Sequence, residues 1–165
     1  MIINEDTRKT IKFIIWTIIV VIILYIASVF VFFKAGSLTR SNDRNIAAVA
    51  NQKTPITKIQ NYYHLDRGTN SYAINGIDKH GRRYYFIYLP DSKKAYLYPA
   101  NKGISETAIT NKFNKVNNYK IKEINLGWYQ SKPVWEISYQ KVNGNLGFNL
   151  YDFKTGKAIN EVDNL

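Results

Sequence analysis

The chain contains no cysteine, which removes disulfides, thiol nucleophiles and cysteine-ligated metals together. It has only two histidines, His64 and His80, so imidazole-based proton transfer or metal binding has few places to sit. Acidic residues are scarce beside basic ones. Twelve Asp and Glu face 23 Lys and Arg, and the formal net charge is +11. The most telling absence is local: from 13 to 33 there are 21 successive residues without a charge, FIIWTIIVVIILYIASVFVFF.

At 1.5 Å rise per residue that run is roughly 30 Å long as a helix, the thickness of a bilayer's hydrocarbon core. Backbone groups in lipid must be bonded within the segment, so it is expected to be helical despite its many β-branched residues. Lys12 and Lys34 bracket it and Trp16 lies near one end, as suits the two interfaces. A cleaved signal peptide would have a shorter apolar stretch ahead of a small-x-small site. Here the best such match, Ala27-Ser28-Val29, lies inside the run. The expected organisation is a cytoplasmic tail at 1–10, a transmembrane helix at 11–34, and two modules at 35–101 and 102–165. Arg8, Lys9 and Lys12 precede the run and Lys34, Arg40 and Arg44 follow it more sparsely, a weak local bias, and long domains are translocated largely regardless of their charge. The expected orientation has the short N-terminal tail inside the cell and the rest outside.

Residues 34–165 hold 20 basic and 10 acidic side chains. Outside a membrane the counter-charges at hand are lipid headgroups and anionic wall polymers, and nucleic acid is not an expected partner. The positive charge is equally explained as a solubilising surface. With no disulfides, this part must be held by its core, which fits an aromatic content of 15%.

After the apolar run a polar linker is expected at 34–42. A helix follows at 41–53, capped by Ser41 or Asn42, with Ile46, Val49 and Ala50 as its stripe and Pro55 beyond its end. The period then changes to two. Strands are predicted at 62–66, 71–77, 83–89 and 94–98. A second helix is predicted at 106–116, capped by Ser105, with strands at 119–130, 133–142, 146–153 and 157–162. Shifting the chain by 63 residues lays one half on the other. Ile46 falls on Ile109, Leu65 on Trp128, Tyr72 on Trp135, Ile74 on Ile137, Gly81 on Gly144, Tyr85 on Phe148 and Ile87 on Leu150. The fold class implied is α+β: one N-terminal transmembrane helix, then two related modules, each a helix on an antiparallel sheet. Modules of about 60 residues are marginal alone, so the two are expected to pack together. The helix-covered faces are expected to hold Tyr72, Ile74, Tyr85, Ile87 and Leu89 in the first. In the second they are expected to hold Trp135, Ile137, Tyr139, Phe148 and Leu150.

Chemistry is thin. His64 with Asp66, and Asp78 with His80, could ligate a metal, but all four fall at strand ends near turns, where solvent exposure is the plainer reading. No Gly-x-Ser-x-Gly elbow exists. Glu136 alone among the acids is embedded between strong core positions, and an ion pair with a Lys or Arg is expected there. No enzyme, cofactor or metal is expected.

The stretch PVWEISY at 133–139, followed by YDFKTGK at 151–157, resembles the PepSY-like module. The whole chain resembles the YpmB/TseB-like proteins of Gram-positive bacteria. The segment 71–88, with Gly76, Asp78, Gly81 and the Tyr84-Tyr85-Phe86 run, is similar to the first module of that family. The resemblance implies a short cytoplasmic tail, one anchor and two cystatin-like modules outside the membrane. It further implies a non-enzymatic regulator of cell-wall elongation that contacts a penicillin-binding transpeptidase. An extracytoplasmic peptidase inhibitor is the alternative implied by PepSY modules. It carries over no catalytic residues.

On strand 83–89, alternation places Tyr84, Phe86 and Tyr88 in a row opposite the expected core face. Such a row either packs against the other module or marks a contact surface. Trp128 and Tyr129 are a second aromatic pair to consider as partner-binding residues.

Overall fold

The computed structural model describes residues 5–163, with side chains at 9–31 and 44–163. The tail expected at 1–10 lies partly outside the described residues, as do the last two positions of the second module. The elements run α1 (Glu5–Lys53), β1 (Ile56–Asp66), β2 (Asn70–Asp78), β3 (Arg83–Leu89), β4 (Lys94–Pro99), a 3-10 turn (Ala100–Lys102), α2 (Glu106–Val116), β5 (Lys120–Tyr129), β6 (Lys132–Gln140), β7 (Leu146–Asp152) and β8 (Ala158–Asp163). The chain is α+β and divides into two compact units, Met1–Asp43 and Arg44–Leu165.

In the first unit, Lys9–Val31 is long and apolar enough to cross a membrane, and none of it is buried by the rest of the chain. Phe13, Trp16 and Leu24 are exposed. The Thr17 hydroxyl turns back to donate to the Phe13 carbonyl at 2.9 Å, so this side chain is satisfied within the helix. The linker expected at 34–42 is helical instead, and the helix expected at 41–53 is the end of α1 rather than a new one. No proline interrupts 34–53, and the one glycine, Gly36, costs a helix only about 1 kcal/mol. The side chains of Ser41 and Asn42, the expected caps, lie outside the described residues.

The second unit begins with the last turns of α1. Ile46 and Ala50 are buried and Val49 is partly so. The helix stops where Thr54 donates both its N–H and its hydroxyl to the Ala50 carbonyl, one residue before Pro55, which disfavours further helix. Two four-stranded antiparallel meanders follow, ordered β1-β2-β3-β4 and β5-β6-β7-β8. Helix α2 has the predicted bounds, and the Ser105 hydroxyl accepts the Ala108 N–H at 3.2 Å. Strand β1 starts six residues before its predicted start, because register shifts at 56/58 and 59/61 break the alternation that would reveal it.

The 63-residue repeat holds in the second hairpin of each sheet. Ile74 lies opposite Phe86, and Ile137 opposite Asn149, the same register after the shift. It fails in the first hairpin. Asp66 pairs with Asn70 across three residues, but Tyr129 pairs with Lys132 across two. Leu65 and Trp128, matched by the offset, therefore sit on opposite faces of their sheets.

The expected faces need correction as well. Tyr72 and Ile74 share a face with Tyr88 and Phe86, whereas Tyr85 and Ile87 lie with Asn75 and Ala73 on the other. The second sheet repeats this. Trp135 and Ile137 lie with Tyr151 and Asn149, while Phe148 and Leu150 lie with Ser138 and Glu136. Alternation fixes the faces within a strand. Pairing register fixes them between strands, and a one-residue slip moves every side chain across.

Three clusters result. Under the end of α1 lie Ile56, Ile74 and Phe86. The largest cluster joins the two sheets: Tyr85, Ile87 and Leu89 of β3 meet Trp135, Ile137, Tyr139 and Phe153, with Ile109 and Phe113 of α2. Trp135 is its centre. Tyr63 and Tyr85 meet its ring edge-on at 5.4 and 5.7 Å, and its indole N–H reaches the Ile104 carbonyl at 2.9 Å. The third cluster is on the far side of the second sheet, where Leu65 packs with Val134, Phe148 and Leu150.

At the junction Gly127 packs directly on the side chains of Leu65 and Ser71. A Cβ on Gly127 would fall 2.3 Å from Leu65 Cβ and 2.6 Å from Ser71 Oγ. The Ser71 hydroxyl is fully buried, donating to the Leu65 carbonyl and accepting the Trp128 N–H, each at 2.9 Å. Glycine at 127 is what lets β5 approach the first hairpin so closely.

Candidate functional site

The end of α1 covers only part of the face that it packs on. Beyond it the first sheet shows an aromatic margin. Tyr62 on β1 is 44% exposed and Leu97 on β4 is 38% exposed. Tyr72 and Tyr88, between them, are half-buried. The register puts all four on this face: Tyr62 opposite Ile74, Tyr72 opposite Tyr88, and Leu97 opposite Phe86. His64 stacks on Tyr72 with ring centroids 4.6 Å apart and bonds Asn70 Oδ1 through Nε2 at 2.9 Å. The margin thus mixes ring faces with polar tips, the composition of protein contact surfaces.

The structure separates the residues singled out by sequence. Phe86 is 2% exposed and belongs to the core under α1, with Tyr84 and Tyr88 half-buried beside it. The row is neither fully exposed nor packed on the other module, since α1 covers its middle. Trp128 is buried in the joint core, stacked on Tyr96 at 4.2 Å. Tyr129 is half-buried against the cluster on the far side of the second sheet. Of these residues Tyr88 belongs to the aromatic margin, and Tyr84 lies half-buried on the same face beyond Phe86. Tyr62, Tyr72 and Leu97 complete it and were missed, because their membership follows from register and not from alternation within β3.

Glu136 does form an ion pair, with Arg67 of the other module: Nε to Oε2 is 2.6 Å. Glu136 is 4% exposed although it lies on the face opposite Trp135. Arg67 also lies flat over Phe148, its guanidinium carbon 3.8 Å from the ring centroid. One side chain thereby covers an apolar ring and matches a buried carboxylate, joining the β1–β2 turn to the second sheet.

Asp78 and His80 belong to the β2–β3 turn. Asp78 accepts the N–H groups of His80 and Arg82 and the Arg82 guanidinium. Burial opposes its ionisation, but these donors outweigh burial and hold its carboxyl below the usual range. Among the described residues no three His, Asp or Glu side chains gather as metal ligands would.

No family model matches the chain. Among known proteins, the chain is 28% identical over 120 residues to the "Probable cell wall elongation regulator TseB" of Bacillus subtilis (strain 168). That match covers 70% of this chain and 73% of that protein. Among solved structures it is similar to the YpmB protein from Bacillus subtilis. The TM-score is 0.62 at 26% identity, over 71% of this chain and 93% of that one. Both comparisons support the resemblance to the YpmB/TseB-like family.

Proposed function

Starting from that resemblance, we propose that this chain is a membrane-anchored, non-enzymatic regulator of cell-wall elongation. The observation that carries the reading is the similarity to a protein named as such a regulator, combined with an apolar helix ahead of two sheets. The helix at Lys9–Val31 is the anchor, with the N-terminus in the cytoplasm and the two PepSY/cystatin-like modules outside. The partner is a penicillin-binding transpeptidase in the same membrane. Anchoring both proteins confines them to one surface and raises their effective concentration, so a modest contact area suffices. The aromatic margin of the first sheet is that contact, with Tyr62, Tyr72, Tyr88 and Leu97 as its apolar anchors.

The test is site-specific crosslinking in membranes. A photoreactive residue at position 62 or 97 should capture a membrane-bound wall-synthesis enzyme, and one at exposed position 142 in the β6–β7 turn should not. Capture of soluble peptidases alone would favour an inhibitor and overturn the reading. Separately, a protease added to intact protoplasts should remove the modules.

A further inference from the structure

The two sheets share one turn and dress it with different side chains. In the β2–β3 turn the Asp78 N–H donates to the Arg82 carbonyl and the Gly81 N–H to the Asp78 carbonyl, each at 3.0 Å. In the β6–β7 turn the Lys141 N–H donates to the Asn145 carbonyl at 2.8 Å and the Gly144 N–H to the Lys141 carbonyl at 3.0 Å. Gly81 and Gly144 have φ of 78° and 90°. The backbone is therefore the same, 63 residues apart. Where the first turn has Lys79, Arg82 and Arg83, the second has Val142, Asn145 and Leu146. The turn does not need cations to form, so their presence in the first has another cause.

Arg82 is positioned rather than loose. Asp78 Oδ1 accepts the N–H groups of His80 and Arg82, and Asp78 Oδ2 accepts the Arg82 Nε–H at 2.7 Å. The buried carboxylate thus holds the guanidinium by its inner nitrogen, while the Arg82 side chain stays 65% exposed. Lys79 and Arg83 are exposed and pair with no acid among the described residues. Arg82 and Arg83 together wall a hollow of about 320 Å³ at the end of β4, with Tyr84, Pro99 and Asn101. Arg82 also walls a hollow of about 300 Å³ beside Lys79 and the end of α1. Asp78 is the one acid in either lining, and its oxygens are already taken.

We infer that this basic turn binds a linear phosphodiester polymer, its phosphate oxygens accepting from Arg82 and Arg83. Arginine offers paired N–H donors that match two oxygens of one phosphate. In such a polymer the charge lies in the chain itself, so the chain can run past Arg82, which both hollows share. In a polycarboxylate the charge hangs from side groups. A nucleic acid would want open ring faces for its bases, and Tyr84 is half-buried. An anionic lipid surface would want large apolar side chains beside the cations, and the turn exposes none. That the polymer belongs to the cell wall rests on the orientation proposed above. The binding itself does not, and protoplast proteolysis tests the orientation separately.

The probe is a fluorescently labelled poly(glycerol phosphate) oligomer, titrated into the full chain in maltoside micelles and read by anisotropy. Lys79→Gln with Arg83→Gln should weaken binding about tenfold and flatten its dependence on salt. Lys120→Gln with Lys122→Gln, on β5, removes the same charge and should change binding by less than about twofold. All four residues are exposed, so neither pair of substitutions should move the melting temperature. Equal losses from the two pairs would mean that net charge alone attracts the polymer, and would overturn the site. Tighter binding of oligothymidylate, polyglutamate or phosphatidylglycerol vesicles than of the phosphate polymer would overturn it as well.

Discussion

The two sheets present the same corner with opposite character. On the first, Asn75, Arg83 and Tyr85 floor a polar cleft against the start of α2. The positions 63 residues on are Ser138, Leu146 and Phe148, and they line an apolar hollow of about 220 Å³ with Arg67 and Lys122. The backbone register at both corners is the same. What differs is the cover. A helix N-terminus with its carboxylate favours polar partners beneath it, whereas the flat guanidinium of Arg67 can lie on a ring and still reach Glu136. A repeat thus copies pairing, and the neighbour of each copy decides its side chains.

The comparison breaks most visibly at Tyr72 and Trp135, which are equivalent by the repeat. Trp135 is fully buried and hydrogen-bonded, so Trp135→Ala should cost roughly 3–5 kcal/mol. Tyr72 is half-buried, and Tyr72→Ala should cost about 1 kcal/mol or less. Urea denaturation of both variants measures the gap, and equal losses would mean that the modules are buried alike.

Arg67→Ala should cost about 2 kcal/mol, below the full value for breaking a buried pair because Arg67 is itself 36% exposed. Adding Glu136→Gln should restore part of the loss by removing the stranded charge. An additive double mutant would show that Arg67 acts only as cover for Phe148.

The β2–β3 turn gives a pH-dependent contrast. Asp78 titrates below its ordinary value of 3.8 in the folded state, so its contribution is complete above about pH 4 and is lost as pH falls through the folded value. Asp78→Asn should therefore be less stable than the parent at pH 7, with the difference shrinking below about pH 4. A constant gap across that range in thermal melts would remove the carboxylate from the argument.

The smallest effect sharpens the difference between first hairpins. Gln130 and Ser131 turn β5 into β6 with φ of 45° and 64°, while the first sheet uses Gly68 at 78°. Ser131→Gly should stabilise by about 0.5 kcal/mol, and Gly68→Ala should destabilise by about 1 kcal/mol. Opposite signs in melting temperature are the readout.

Much of the fold is legible in the residues. Helix α2 announces itself by Ser105 and the Ile109–Phe113 spacing, and β3 by strict alternation. The ion pair at Glu136 is legible as a need, since a carboxylate among core positions must be matched. Its partner is not legible, because Arg67 is 69 residues away and arrives through packing. The aromatic margin was misread for a similar reason. The row Tyr84-Phe86-Tyr88 is evident, but α1 buries its middle residue, and Tyr62 and Leu97 join it through strand pairing.

Composition and periodicity by themselves pointed to the apolar helix, to α2 and to two antiparallel sheets, and to a 63-residue offset that holds in their second hairpins, because these depend on residues near one another in the chain. Tertiary structure decided which face of each sheet is covered and by what, and so where an exposed aromatic margin remains. Turn length sets register, register sets faces, and one residue more or less between Asp66 and Asn70 than between Tyr129 and Lys132 is enough to send matched residues to opposite sides.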